Sequence, residues 1–173
     1  MFTNNIRTIT VFFAFVCALA GCRQTVDVHF DPSVADYTPV VREILENHPE
    51  GNITLRFGKG VYPFYPEKAP EEFLNVSNND SGNKRVAFLL KNMKNVRIAG
   101  DETDFMFHGS MTPFAVKGSE NVEISGISID YDYPWTFEGT VLSNDPVNRS
   151  FVVKVFSDSK YRIVGDRLLF SGY

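Results

Sequence analysis

Asp130 and Asp132 stand two residues apart in Ile127-Ser128-Ile129-Asp130-Tyr131-Asp132, an alternating run of the kind that forms a strand. Alternate residues of a strand share a face with Cα atoms roughly 7 Å apart, and the two carboxyl groups that hydrolyse a glycosidic bond with inversion stand about 6.5–9.5 Å apart. The pair could therefore do acid and base work. Those two carboxylates must flank the scissile bond from opposite sides, however, and neighbours on one strand point the same way. Contact with substrate hydroxyls, or a plain solvated face, is the preferred reading for Asp130 and Asp132. Trp135, the single tryptophan, could stack on a sugar ring or plug a junction between two structural units. His108, beside Gly109, could bind a substrate hydroxyl, although a turn histidine satisfied by backbone is the preferred state. Lys59 in Gly58-Lys59-Gly60 lacks the spacing of a phosphate-binding loop. No His or carboxylate cluster has metal-ligand spacing, so neither a metal nor a cofactor is expected.

The elements that must hold these residues are read from an internal repeat. At a shift of 26 residues Phe88 meets Phe114, Lys91 meets Lys117, Asn95 meets Asn121, Val96 meets Val122, Ile98 meets Ile124 and Gly100 meets Gly126. Leu90 with Val116, Phe105 with Tyr131 and Phe107 with Tyr133 agree in type at the same shift. A period in the range of about 20–50 residues signals stacked units. Each unit holds short alternating runs, at Phe88 to Lys91, Val96 to Ile98 and Asp104 to Phe107, parted by Gly or Asn turns. Three short strands per unit describe a coil of a right-handed parallel β-helix, each strand pairing with its counterpart about 4.8 Å away. The shift then predicts that Phe88, Phe114, Val96, Val122, Ile98 and Ile124 stack inward while Arg97 faces Glu123 outside and Asn95 stacks on Asn121 at a turn.

Ahead of the repeat, Val26 to Phe30 is a short extended segment. The apolar positions Val34, Tyr37, Val40, Val41, Ile44 and Leu45 predict a helix, bent or started late by Pro39 and ended near Asn47 to Pro49. That helix would cap the first coil. Ile53 to Phe57 alternates as a strand, and the polar stretch from Pro66 through Asn83 reads as a surface loop. After Trp135 the pattern changes: Thr140-Val141-Leu142, Phe151 to Phe156 and Arg167 to Phe170 read as antiparallel strands joined by turns, an inserted, barrel-like β segment over 136–173. The fold class is thus mainly β, with the cap and first coils spanning 22–135.

Arg7 and the apolar run from Ile9 to Ala20 form a signal peptide over 1–21, too short to span a bilayer, and Leu19-Ala20-Gly21-Cys22 resembles a lipobox. Cys22 is the expected lipidation site, which makes the protein exported and lipid-anchored to a bacterial membrane, on its periplasmic side or at the cell surface. Cys17 falls in the removed segment, so the folded part has no thiol for a disulfide or metal site. A net charge of −4 without a basic stripe argues against nucleic acid.

Four motifs carry a family resemblance. Residues Phe57 to Pro66, Ala87 to Asn95, Phe107 to Phe114 and Ile127 to Asp130, in that order, resemble glycoside hydrolase family 110, over a stretch from about Val34 to the end. The resemblance implies an exo-acting, inverting α-1,3-galactosidase, a β-helix carrying inserted barrels, and galactose-terminated glycans as partners. Gly58 stands where that family usually has proline, a change that suits a turn equally well. The family's catalytic carboxylates lie in later coils, so the catalytic residues are expected beyond Tyr173, and Asp130, Asp132, Trp135 and His108 are candidates for substrate binding. Two other classes fit a β-helix: a polysaccharide lyase, for which the calcium ligands and basic catalyst are not found, and a noncatalytic glycan-binding adhesin.

Overall fold

The computed structural model describes residues 25–76, 80–133, 138–155 and 161–170. Strands dominate, and most pair in parallel. The strands are β1 (Val26–Phe30), β2 (Gly51–Phe57), β3 (Gly60–Phe64), β4 (Glu71–Leu74), β5 (Gly82–Lys91), β6 (Lys94–Phe107), β7 (Thr112–Lys117), β8 (Glu120–Tyr131), β9 (Gly139–Asp145), β10 (Ser150–Val155), β11 (Tyr161–Val164) and β12 (Arg167–Phe170), with one helix, α1 (Thr38–Asn47), between β1 and β2. β1, β2, the first half of β6 and the first half of β8 lie side by side in parallel; β3, the second half of β6 and the second half of β8 do likewise; β5 and β7 make a third parallel pair. The chain visits these three faces in turn, a path compatible with a β-helix.

Pairing at a shift of 26 holds for Phe88 with Phe114, Val96 with Val122, Arg97 with Glu123 and Ile98 with Ile124. It fails beyond Gly126. The register slips by two between Ala99 and Thr103, so Phe105 pairs with Ile129 and Phe107 with Tyr131, rather than with Tyr131 and Tyr133. The cause is local: β6 turns through Asp101 and Glu102, the latter at φ +48°, and β8 makes the same corner at Gly126 with two residues fewer. Repetition also begins earlier than Val86. β2 pairs with β6 at a shift of 43, Ile53 beside Val96 and Leu55 beside Ile98, and β3 follows at the same shift, Tyr62 beside Phe105. The longer shift arises because the stretch from Pro66 through Asn83 is more than a surface loop: a short 3-10 turn at Pro66–Lys68 leads into β4, which pairs antiparallel with the start of β5.

Aromatic rings fill the space between the three faces. Phe30 stacks on Phe57 at 4.4 Å, Phe64 on Phe107 at 5.1 Å, and Phe88 lies between Phe105 at 5.4 Å and Phe114 at 4.8 Å. The register partners Phe30 and Phe57, and Phe88 and Phe114, meet nearly face to face because strand spacing is close to ring-stacking distance, as do Phe64 and Phe107, whereas Tyr62 meets its partner Phe105 edge-on. The inward row is dry through β6, where Val96, Ile98, Phe105 and Phe107 are buried. On β7 and β8 it is not: Phe114 and Val122 are only partly buried and Ile124 is 39% exposed, because no described strand lies beyond β7 or β8 to cover them. Of the six residues expected to stack inward and be buried, Phe88, Val96 and Ile98 are buried, Phe114 and Val122 pack against the core but are only partly buried, and Ile124 is exposed.

Corners are fixed by asparagines. Asn52, Asn95 and Asn121 all adopt φ near +55°, a left-handed conformation that asparagine tolerates. Asn95 Nδ2 donates to Asn52 Oδ1 at 2.9 Å, and Asn121 Nδ2 donates to Asn95 Oδ1 at 2.7 Å. The expected stack of Asn95 and Asn121 is thus a ladder of three. Outside, Arg97 reaches Glu123 at 3.3 Å. The helix starts late, with Pro39 in its first turn, and buries Thr38, Val41 and Leu45. β9 with β10 and β11 with β12 form two antiparallel pairs.

Candidate functional site

β3, the second half of β6 and the second half of β8 bury Tyr62, Phe64, Phe105 and Phe107 on their inner side. Period-two alternation then turns the intervening positions outward: Pro63, Met106 and Asp130 in one row across the strands. The next outward row is Tyr65, His108 and Asp132, one residue past Phe64, Phe107 and Tyr131. Backbone bonds carry the ladder that far, with the His108 N–H donating to Phe64 O at 2.9 Å and the Asp132 N–H donating to Phe107 O at 3.0 Å. Three strands thereby present one side chain each at a common height.

Their side chains meet. The Tyr65 ring lies parallel to the His108 ring, centroids 4.1 Å apart and planes within 3°. The His108 Nδ1 is 3.0 Å from Asp132 Oδ2. The Tyr65 N–H donates to Oγ1 of the fully buried Thr38 at 2.8 Å, which ties the row to the first turn of α1. Asp130, one row lower, accepts the Tyr131 N–H on Oδ1 at 2.8 Å. Burial raises the Tyr131 phenol above its ordinary pKa, and that hydroxyl donates to Met111 O at 3.1 Å.

Of the candidates read from the sequence, His108, Asp130 and Asp132 share this outer face. The histidine is held by a carboxylate, not by backbone as expected. Trp135 and Cys22 lie outside the described residues. Lys59 pairs with Glu102 across a corner, beside an open cleft lined also by Asp104 and Ser128. Tyr65 was missed. Its partner lies 43 residues on, and only the parallel pairing of β3 with β6, hidden by the β4 excursion, relates the two. Among the described residues no three His, Cys, Asp or Glu side chains are grouped to hold a metal ion, and no helix is long and apolar enough to cross a membrane.

The chemistry available on this face is acceptance. Asp104, Asp130 and Asp132 provide carboxylate oxygens, His108 an imidazole, and no lysine or arginine stands among the outward positions Val61, Pro63, Tyr65, Asp104, Met106, His108, Ser128, Asp130 and Asp132. Such a surface suits hydroxyl donors. It makes one wall, because Asp130 and Asp132 project from a single strand.

No family model matches the chain. Among known proteins, α-1,3-galactosidase A of Shewanella woodyi is 34% identical over 140 residues, 79% of this chain and 23% of that protein. α-1,3-Galactosidase B of Akkermansia muciniphila is 35% identical over 127 residues, 71% of this chain and 16% of that protein, and the B enzyme of Parabacteroides distasonis is 33% identical over 144 residues, 83% of this chain and 23% of that protein. The chain spans less than a quarter of the length of these relatives. Over most of its own length it is a sequence relative of the α-1,3-galactosidases, and through them of the glycoside hydrolases.

Proposed function

We infer that this chain supplies one wall of the sugar site of an exported glycoside hydrolase that removes terminal α-1,3-linked galactose with inversion. The observation that carries the reading is the similarity to three α-1,3-galactosidases across most of the chain. The acceptor-rich outer row of His108, Asp130 and Asp132 supports it. In this reading the parallel strands are the first coils of a right-handed β-helix, α1 caps their open end, and β9 to β12 belong to an inserted barrel. Residues 1–21 direct export, and Cys22 carries the lipid that holds the protein to the membrane.

Inverting hydrolysis needs an acid on one side of the glycosidic oxygen and a base positioning water on the other, both held rigidly. His108, Asp130 and Asp132 grip galactose hydroxyls, and the two catalytic carboxylates come from sequence beyond Tyr173. The test is galactose release from an α-1,3-galactoside, by the chain alone and by the chain extended with the rest of a relative's sequence. Release with inversion by the extended protein only, weakened mainly in KM by Asp130→Asn or Asp132→Asn, is the expected result. Turnover by the chain alone, abolished by either substitution, would place the catalytic pair here instead. Galactoside binding without turnover in either protein would make it a noncatalytic glycan-binding protein.

A further inference from the structure

Within that sugar site, and resting on that reading of it, Tyr65 has a part that no comparison assigns. His108 has two ring nitrogens, and Nδ1 faces a carboxylate oxygen of Asp132 at 3.0 Å. A carboxylate only accepts, so in the neutral ring Nδ1 carries the hydrogen and Nε2 keeps its lone pair. Which atom Nε2 can reach depends on the plane of the ring. That plane is set by Tyr65, whose ring lies 4.1 Å away and within 3° of parallel. Tyr65 is itself fixed at its backbone, through its N–H bond to Thr38 Oγ1 and through its place next to Phe64, which is fully buried. Without the stack, the imidazole could turn about its bonds and present either ring nitrogen to Asp132, since a carboxylate offers a broad arc of acceptor directions.

We propose that Tyr65 is a positioning residue, whose ring holds His108 as an Nδ1–H donor to Asp132 so that Nε2 stands ready to accept a hydroxyl of a neutral sugar. The protein has three histidines, His29, His48 and His108, so ring nitrogens can be assigned by NMR of the full chain, with His108→Gln identifying the third. At a pH well above the ordinary histidine value of about 6.5, the His108 spectrum should show the Nδ1–H form, and galactose or an α-1,3-linked galactosyl disaccharide should shift Nε2 more than Nδ1. Tyr65→Phe keeps the ring and should keep both the tautomer and the affinity. Tyr65→Leu should mix the tautomers and weaken the disaccharide roughly fivefold, the loss expected when one neutral hydrogen bond is no longer made.

An unchanged tautomer and an unchanged affinity in Tyr65→Leu overturn the proposal while leaving the hydrolase reading intact. A His108 that holds the Nδ1–H form but gives no Nε2 shift with any sugar also overturns it, since the lone pair then has no hydroxyl to accept. Failure of the extended protein to release galactose, with the Nε2 shift present, counts against the hydrolase reading alone. Loss of affinity in Tyr65→Leu with loss of the folded far-UV spectrum is resolved by Tyr65→Phe: retention of tautomer and affinity supports the ring's role, and loss of either shows that the phenol, not the ring, matters.

Discussion

Gly126→Ala should be among the most damaging single-methyl changes this chain can carry, and the structure says by how much. Gly126 sits at φ +71°, and a Cβ built there would lie 2.1 Å from Gly100 O in the strand alongside. Ordinary contact begins at 3.4 Å, so the two backbones must part by more than 1 Å, and a carbonyl within a parallel pair cannot swing away as a side-chain end would. The left-handed conformation costs alanine about 1–2 kcal/mol, and losing two or three neighbouring ladder bonds costs about 1 kcal/mol each, giving about 3–5 kcal/mol in all. Gly109→Ala isolates the first term. Its φ is +63°, but the nearest atom to its Cβ is Pro66 Cγ at 3.3 Å, which can give by a few tenths of an ångström. It should cost about 1–2 kcal/mol. Gly100→Ala, whose Cβ would meet Gly126 O at 2.4 Å, should fall beside Gly126→Ala. Urea denaturation followed by circular dichroism ranks the three. If Gly126→Ala and Gly109→Ala share one midpoint, the close approach of successive strands at this corner is refuted.

Asn95→Ala removes both amide bonds of the central ladder residue and its tolerance of φ +54°, so it should cost about 2–3 kcal/mol, with Asn95→Gly recovering the conformational part, both read from urea midpoints. Glu72 accepts from Lys117 at 2.6 Å and from Lys91 at 3.1 Å, and those bonds, that from Lys117 first, lower its carboxyl pKa below the ordinary 4.5. A depressed folded-state value means that its contribution is present above pH 4.5 and is lost as pH falls through the lowered value. Glu72→Gln should therefore flatten the fall of the denaturation midpoint in that acid window and leave the slope above it unchanged. Cys22→Ala should release the protein from bacterial membranes or stall its processing, checked by fractionation and by the mass of the mature amino terminus; wild-type protein recovered wholly soluble with an unmodified terminus would count against the anchor.

Much of the parallel pairing was legible because a stacked unit writes its contact map into its period. Phe88 with Phe114 and Val96 with Val122 needed only a ruler of 26 residues. That ruler misleads once a corner changes length. Phe105 and Tyr131 agree in type at 26, yet the shorter corner of β8 makes the pairing past it 24, and the slip leaves no mark in residue type because both inner aromatics of β6 face a strand whose alternate positions are also apolar. Side-chain type alone does not tell Ile129 from Tyr131 as the neighbour of Phe105. The pairing of β2 and β3 with β6 was hidden for a related reason: β4 and its hairpin turn lengthen the path from β3 to β5, so the period of 26 does not link Tyr62 with Phe105. The candidate site inherited both errors. Asp132 and His108 were found as isolated polar residues, but their contact requires a shift of 24 and the Tyr65 contact a shift of 43.

The same geometry bears on the proposed role of this face, which is to hold a sugar and not to cleave it. Parallel strands set successive outward side chains about 4.8 Å apart across the sheet, a spacing that lets Tyr65 stack on His108 and His108 reach Asp132 with no loop to bring them together. Rigidity comes from beneath, since each of the three residues follows an inward aromatic, Phe64, Phe107 or Tyr131, packed against the next. But every side chain in such a row leaves the sheet in one direction. Two carboxyl groups about 6.5–9.5 Å apart that attack a bond from opposite faces demand a second surface turned toward this one, and repetition of the same strand cannot create it. On the function proposed above, a wall of stacked strands is suited to binding, and cleavage requires a second surface turned toward the row of Tyr65, His108 and Asp132.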